Sequence, residues 1–171
     1  MALVGLAVSG NDHFAKGGVK KMEIASYAEG GQSSLATTAA GSASGVIGSS
    51  IKTVEFKKET ANMQVTASND FGKGLTTFEI VIEGYVPDVT KERLVELQSM
   101  VNTPLIARVY TWDGASYLVG WDETSSESNS KTRFPMELTS AVANTGSSLA
   151  DENGVTLTFT CMQAEAPGVF S

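Results

Sequence analysis

The 171-residue sequence predicts a mainly β fold, an antiparallel β-sandwich or barrel with a single α-helix at about residues 90–101 packed on it. Three observations predict it. Seventeen glycines stand against four prolines among many Ser, Thr and Val, a composition of strands and turns. Apolar residues recur at every second position in run after run. Helical spacing occurs convincingly in one place only. The length suits one domain spanning residues 1–171, large enough to bury a core without disulfides or metals.

The first strand is read over 19–27, with Met22, Ile24 and Ser26 on one face and Lys21, Glu23 and Tyr27 on the other. A Gly/Ser/Ala-rich segment follows at 30–50, uncharged, with Gln32 near its start and Leu35, Val46 and Ile47 as its large apolar residues. A linker selected only for solubility would carry charge, so this segment is expected to be a loop that orders against a neighbouring subunit. The run 51–57 alternates without a clean apolar face and is expected to be covered on both sides. Residues 62–67 form another strand, with turn chemistry at Asn69-Asp70-Phe71-Gly72.

The strongest strand, 74–84, sets Phe78, Ile80 and Ile82 against Glu79, Val81 and Glu83 and is expected to be central. Thr90 is placed to cap the helix, Glu92 sits in its first turn, and Asn102 with Pro104 stops it. Its packing face is read as Leu94, Leu97, Met100 and Val101. A hairpin follows, 105–112 and 115–121, turning at Asp113-Gly114 because glycine accepts the positive φ of a tight turn. After a polar loop at 122–131, strands are read at 134–142 and 155–161, and the chain ends in a short arm carrying Val169 and Phe170.

The parts of an enzyme are scarce. His13 is the only histidine and Cys161 the only cysteine, so a nucleophile with a histidine base, or a zinc site, lacks its usual components. The carboxylates at Asp122-Glu123 and Asp151-Glu152 lack calcium-loop spacing, and no phosphate-cradling glycine motif occurs. No catalytic, cofactor-binding or metal-binding residue is therefore assigned, no cofactor is expected, and the chain is read as a non-enzyme. The net charge of −7 argues against a grip on nucleic-acid phosphates, while Lys16, Lys20 and Lys21 are read as solvated residues of a strand edge. An acidic surface instead suits a conduit through which DNA slides without sticking. Trp112, Tyr117 and Trp121 on the hairpin are read as core aromatics, with a sugar- or protein-binding β-sandwich module as the alternative. The first ten residues are too short an apolar run for a membrane span and lack the basic start of a secretory signal, so synthesis in a cytoplasm and no membrane anchor are expected.

The order of elements from Thr77 to Trp121 resembles the tail-tube proteins of tailed bacteriophages and the tube proteins of contractile injection systems. The resemblance rests on the long strand ending Ile82-Glu83-Gly84-Tyr85, the lone helix from Lys91 to Val101 and the hairpin from Leu105 to Trp121. Leu118 to Trp121 together with Asn144 to Phe159 also looks like the C-terminal part of virion proteins of phages that infect Bacteroidetes. Together these cover about half of the chain. The resemblance implies a tail-tube-like sandwich that assembles with itself into rings, six-membered in that class, whose inner strands join edge to edge around a lumen and whose rings stack. It implies a virion location, contacts with other tail or connector proteins, and genomic DNA passing through without specific binding. In that setting Gln32, Leu35, Val46 and Ile47 become an assembly loop, and Val169 and Phe170 a C-terminal arm. Head-tail connector, ring and tail-terminator proteins share the fold and are the nearest alternative.

Overall fold

The computed structural model describes residues 17–27, 36–37, 42–45, 47–48, 50–70, 72–121, 135–146, 152–164 and 166–170. Along the chain these form β1 (Val19–Ser26), β2 (Ala36–Thr37), β3 (Ser42–Ser44), β4 (Lys52–Glu55), β5 (Asn62–Asp70), β6 (Leu75–Pro87), α1 (Lys91–Met100), β7 (Leu105–Thr111), β8 (Ser116–Val119), β9 (Glu137–Asn144), β10 (Gly154–Gln163) and β11 (Gly168–Phe170). They build two sheets, a seven-stranded one ordered β2-β3-β11-β8-β7-β1-β4 and a four-stranded one ordered β5-β6-β10-β9. Every pairing is antiparallel except β3 with β11. The fold is mainly β with one helix among the described residues, a sandwich of two sheets as the alternation predicts.

The core is the seam between the sheets. Met22 and Ile24 of β1 and Ala107 and Val109 of β7 meet Ile80 and Ile82 of β6 and Leu157 and Phe159 of β10, all at 3% exposure or less. The strand at 74–84 is interior as expected, lying between β5 and β10. Burying Ile or Phe side chains of this kind stabilises by about 1.5–3 kcal/mol each, so these two central strands hold the four-stranded layer in place.

One close approach locks the layers together. Phe56, just beyond β4, is buried over Gly84 of β6, where an added Cβ would stand 2.5 Å from the Phe56 ring and 2.7 Å from Ala61. Only β4's Val54 and the following Phe56 turn inward while Lys52, Thr53 and Glu55 are exposed, so this strand is covered on one face and not on both. The hairpin turn is as read: Gly114 has φ +93° and its N–H donates to Thr111 O at 3.3 Å.

The helix begins at Thr90, whose Oγ1 accepts from Arg93 N at 3.3 Å, and ends before Asn102 at φ +62°. Its packing face is narrower than the sequence suggests. Met100 is buried and Leu97 packs on the core, but Leu94 and Val101 are 45% and 48% exposed. The helix lies along the rim of the sandwich and not across a sheet, so it has only a strip of core to cover.

The outer face of the seven-stranded sheet closes on itself. At one end Ala25, Ile106 and Leu118 form a second cluster with Ile47 and Phe170. Ile47 therefore anchors its segment on its own sheet, at 2% exposure, where the sequence assigned it to a neighbour. The 30–50 segment also contains strands β2 and β3, so it is not one plain loop. Likewise Val169 and Phe170 form no free arm: β11 is hydrogen-bonded between β3 and β8, with Phe170 buried and Val169 exposed. β1 is an interior strand, which corrects the reading of Lys20 and Lys21 as edge residues.

Beside that cluster, Glu23 accepts from Tyr110 Oη at 2.7 Å and pairs with Lys21 Nζ at 3.0 Å. The Arg108 guanidinium lies 4.8 Å from the Tyr110 ring centre and 4.0 Å from that of Phe170. Burial pushes the Glu23 carboxyl up, but the Tyr110 and Lys21 hydrogen bonds and the Lys21 and Arg108 charges outweigh it and hold it below its ordinary value. Burial and the bond to Glu23 raise Tyr110.

Two outcomes follow from this packing. Gly84→Ala should lower stability by about 1–3 kcal/mol in a denaturant titration, because the methyl meets the Phe56 ring. Pairing it with Phe56→Leu should recover part of the loss. Tyr110→Phe should cost about 1 kcal/mol near neutral pH. A lowered carboxyl stabilises above its unfolded value and loses that contribution as pH falls through its folded value, so the gap between wild type and variant should shrink on acidification below the carboxylate range. The raised phenol makes it shrink again as pH rises through the Tyr110 value. Unfolding midpoints across pH check this, and a gap that stayed constant into acid would refute it.

Candidate assembly surface

Alternation dictates what the four-stranded sheet shows to the outside. With Val155, Leu157, Phe159 and Cys161 of β10 turned inward, Thr156, Thr158, Thr160 and Met162 turn outward. With Ile80, Ile82 and Gly84 of β6 inward, Glu79, Val81, Glu83 and Tyr85 turn outward. The registers Asn62↔Glu83, Gln64↔Val81, Thr66↔Glu79 and Ser68↔Thr77 put the polar half of β5 on the same face. On the other side Glu137, Ser140 and Val142 of β9 stand opposite Thr160, Thr158 and Thr156. A bulge at Thr158/Phe159 brings Thr139 in as well, with its hydroxyl 2.7 Å from that of Thr160.

The result is a surface of hydroxyls, amides and carboxylates. Glu79, Glu83 and Glu137 are exposed on it, and Asp70 stands at the β5 end, accepting from Gly72 N at 3.0 Å. The strands β5, β6, β9 and β10 contain no lysine, arginine or histidine. The described cations lie on the other sheet (Lys20, Lys21, Lys52, Arg108), on α1 (Lys91, Arg93) and in turns (Lys57, Lys58, Lys73). The four strands thus carry no cation of their own, while Lys73, in the β5-β6 turn, stands 3.7 Å from Asp70 and Lys57 Nζ lies 5.8 Å from the Tyr85 ring centre.

Among the described residues both borders of this sheet are open along most of their length, β9 being tied at its start where Met136 and Leu105 exchange two backbone hydrogen bonds at 2.9 Å. β5 from Gln64 to Asp70 and β9 from Thr139 to Asn144 are exposed throughout. Apart from the bulge, neither carries the lysine or proline that commonly blunts an edge strand. The sheet is also wider than the layer packed on it, so the inward-turned Val65 is still 41% exposed.

Of the sequence-assigned site residues, Gln32, Leu35 and Val46 lie outside the described residues, as do Lys16 and His13. The structure does not bring the others together: Ile47 and Phe170 join the second cluster, Leu97 and Met100 the main core, and Leu94, Val101 and Val169 stay exposed. Trp121 packs against the second cluster, and its indole N–H finds no partner among the described residues. Trp112 is half-buried with Lys20 Nζ 5.6 Å from its ring centre. The acidic face was missed as a unit. A strand-by-strand count of cations would have found it, once the strands were grouped into sheets.

No transmembrane-length apolar helix and no cluster of three or more His, Cys, Asp or Glu able to hold a metal occurs among the described residues. A cleft of about 250 Å³ lies between α1, β4 and β10, lined by Val54, Leu97, Met100 and Leu157 with Arg93 and Glu96 at its mouth. No protein-family model, curated protein or solved structure matches the chain.

Proposed function

We propose that this chain is a structural subunit that closes into a ring through its four-stranded sheet, the rings stacking into the tail tube of a tailed phage that conducts DNA. The observation that carries this reading is the sheet itself: one face in the core, the other acidic with no lysine or arginine on its four strands, and, among the described residues, both edge strands exposed along most of their length. Four antiparallel strands have edges running in opposite directions, so β5 of one copy can meet β9 of the next by rotation alone and keep the ladder antiparallel. The same contact, repeated head to tail, covers every edge when the ring closes.

The six-membered ring that the resemblance implies is compatible with the strand geometry. About six copies give about 24 strands, and at ~4.8 Å spacing and ~40° tilt the barrel is about 48 Å across between backbones. Side chains leave an opening of roughly 35–40 Å, room for a duplex, whereas about three copies would leave roughly 14 Å. Glu79, Glu83 and Glu137 would line the lumen and repel the phosphates. The protein would then be a virion component without catalytic activity, in contact with itself and with other tail proteins.

Negative-stain microscopy of the purified protein should show rings and tubes; single rings that never stack would favour a connector or terminator role, and a monomer at high concentration would sink the proposal. The charge argument has its own check. Glu79→Lys/Glu83→Lys rings should be retained on immobilised DNA at low salt and released by added salt, while the wild type flows through. Equal flow-through of the variant rings would remove these residues from the lumen.

A further inference from the structure

At the end of the sandwich that carries Val19 and Gly84 the two layers run in step, whereas at the other end Leu105 of β7 and Met136, just before β9, exchange both backbone hydrogen bonds at 2.9 Å. β1 lies over the start of β5, where Val19 N donates to Ala61 O at 2.9 Å. Phe56, after β4, lies over Gly84 of β6, and α1 lies over Val155 and Leu157 of β10. At the first of these ends the order β1-β4-α1 therefore follows β5-β6-β10, and the next strand past β10 there is the 141–144 end of β9. Glu96 reaches back to Lys52 of β4 at 2.9 Å, which fixes that flank of the helix. At about 100° per residue Leu94 and Val101 fall on the opposite flank, toward β9. There the inward-turned residues of β9 are Ala141 and Ala143, small and exposed.

We infer that this flank and β9 form a groove that seats β5 of a second copy, with the neighbour's Val65 held between Ala141 and Leu94. This rests on the ring reading above and gives it a register. Within one copy Asn62 is level with Ser140, through Glu83 and Thr158. A closed barrel staggers by about one residue per strand, about four across this sheet. In one of its two senses that stagger sets Asn62 opposite Asn144, so that the two edges overlap along their full length. Val65 then faces Ala141, both turned to the core side, while Gln64 and Thr66 face Val142 and Ser140 on the polar side. Inward meets inward at each of these positions. The exposed apolar residues on α1 and β5 thereby cover one another, and the neighbour's strand satisfies the open ladder of β9.

A double variant, Val65→Cys/Ala141→Cys, tests the register in the full chain, since antiparallel neighbours stand at disulfide distance and Cys161 is buried. Mild oxidation should give a non-reducing gel ladder that stops at the ring number, with no ladder from either single variant. Leu94→Lys and Val65→Glu, each on an exposed position, should each fold but lose rings, and mixing the two should restore them. If the wild type forms rings while the double variant gives no ladder and Leu94→Lys still assembles, the groove is wrong and the ring stands. A covalent dimer from Val65→Cys alone means a two-fold β5 pairing and overturns the register. A wild type that stays monomeric removes ring and groove together.

Discussion

A β-strand has hydrogen-bonding groups on both sides of its backbone, and among the described residues of the four-stranded sheet only β6 and β10 pair with a strand on each side. The same two strands carry Ile80, Ile82, Leu157 and Phe159 into the core. β5 and β9 are held chiefly by the ladder to one neighbour, with Met63 and Leu138 as their main contacts to the core. The sheet is thus stabilised from its middle and unfinished at its borders. Solvent can satisfy those border groups, so the monomer can fold. In the proposed ring a second copy would satisfy them as well and would remove Val65 and Leu94 from water at the same time.

The seven-stranded sheet shows the contrast. Its outer face is covered at one end by Ile47 and Phe170, and at the other it is tied by the Lys21-Glu23-Tyr110 network. Ser116 Oγ donates to Phe170 O at 3.0 Å, which fixes β11 beside β8. β2, β3, Ile47 and the last strand lie on the chain's own far side. Segments that look like assembly devices in sequence thus finish one sheet, and the sheet left unfinished is built from ordinary strands.

That difference explains what was legible. β6, β10, the Asp113-Gly114 hairpin and the Thr90-capped helix are written in local periodicity and turn chemistry, and the structure has them where the sequence puts them. What local pattern does not contain is which strand lies beside which. Leu94 and Val101 have helical spacing with Leu97 and Met100, but only knowledge of a rim position shows that two of the four lack a partner. Phe56 over Gly84 joins residues 28 apart, and Ile47 and Phe170 join segments more distant still. The glutamates of the acidic face were visible in strand alternation, yet their grouping with Glu137 appears only through the β6-β10-β9 pairing.

The acidic face also bears on the choice between a conduit and a ligand-binding module. A binding face concentrates aromatics and paired donors, whereas here Trp112 and Trp121 lie on the other sheet and are half-buried by their own chain. In the proposed ring, with an opening of roughly 35–40 Å, a centred duplex would stand about one Debye length, ~8 Å, from the wall at physiological salt. At that range carboxylates still repel phosphates, but weakly, and threonine hydroxyls offer hydrogen bonds without charge. Such a wall would keep DNA off its surface without resisting its movement. A single lysine per copy would be multiplied by the ring into a belt of cations, each able to displace a counterion and hold the strand. The absence of lysine and arginine from four adjoining strands, in a chain that places both on its other sheet, is the distribution such a wall requires.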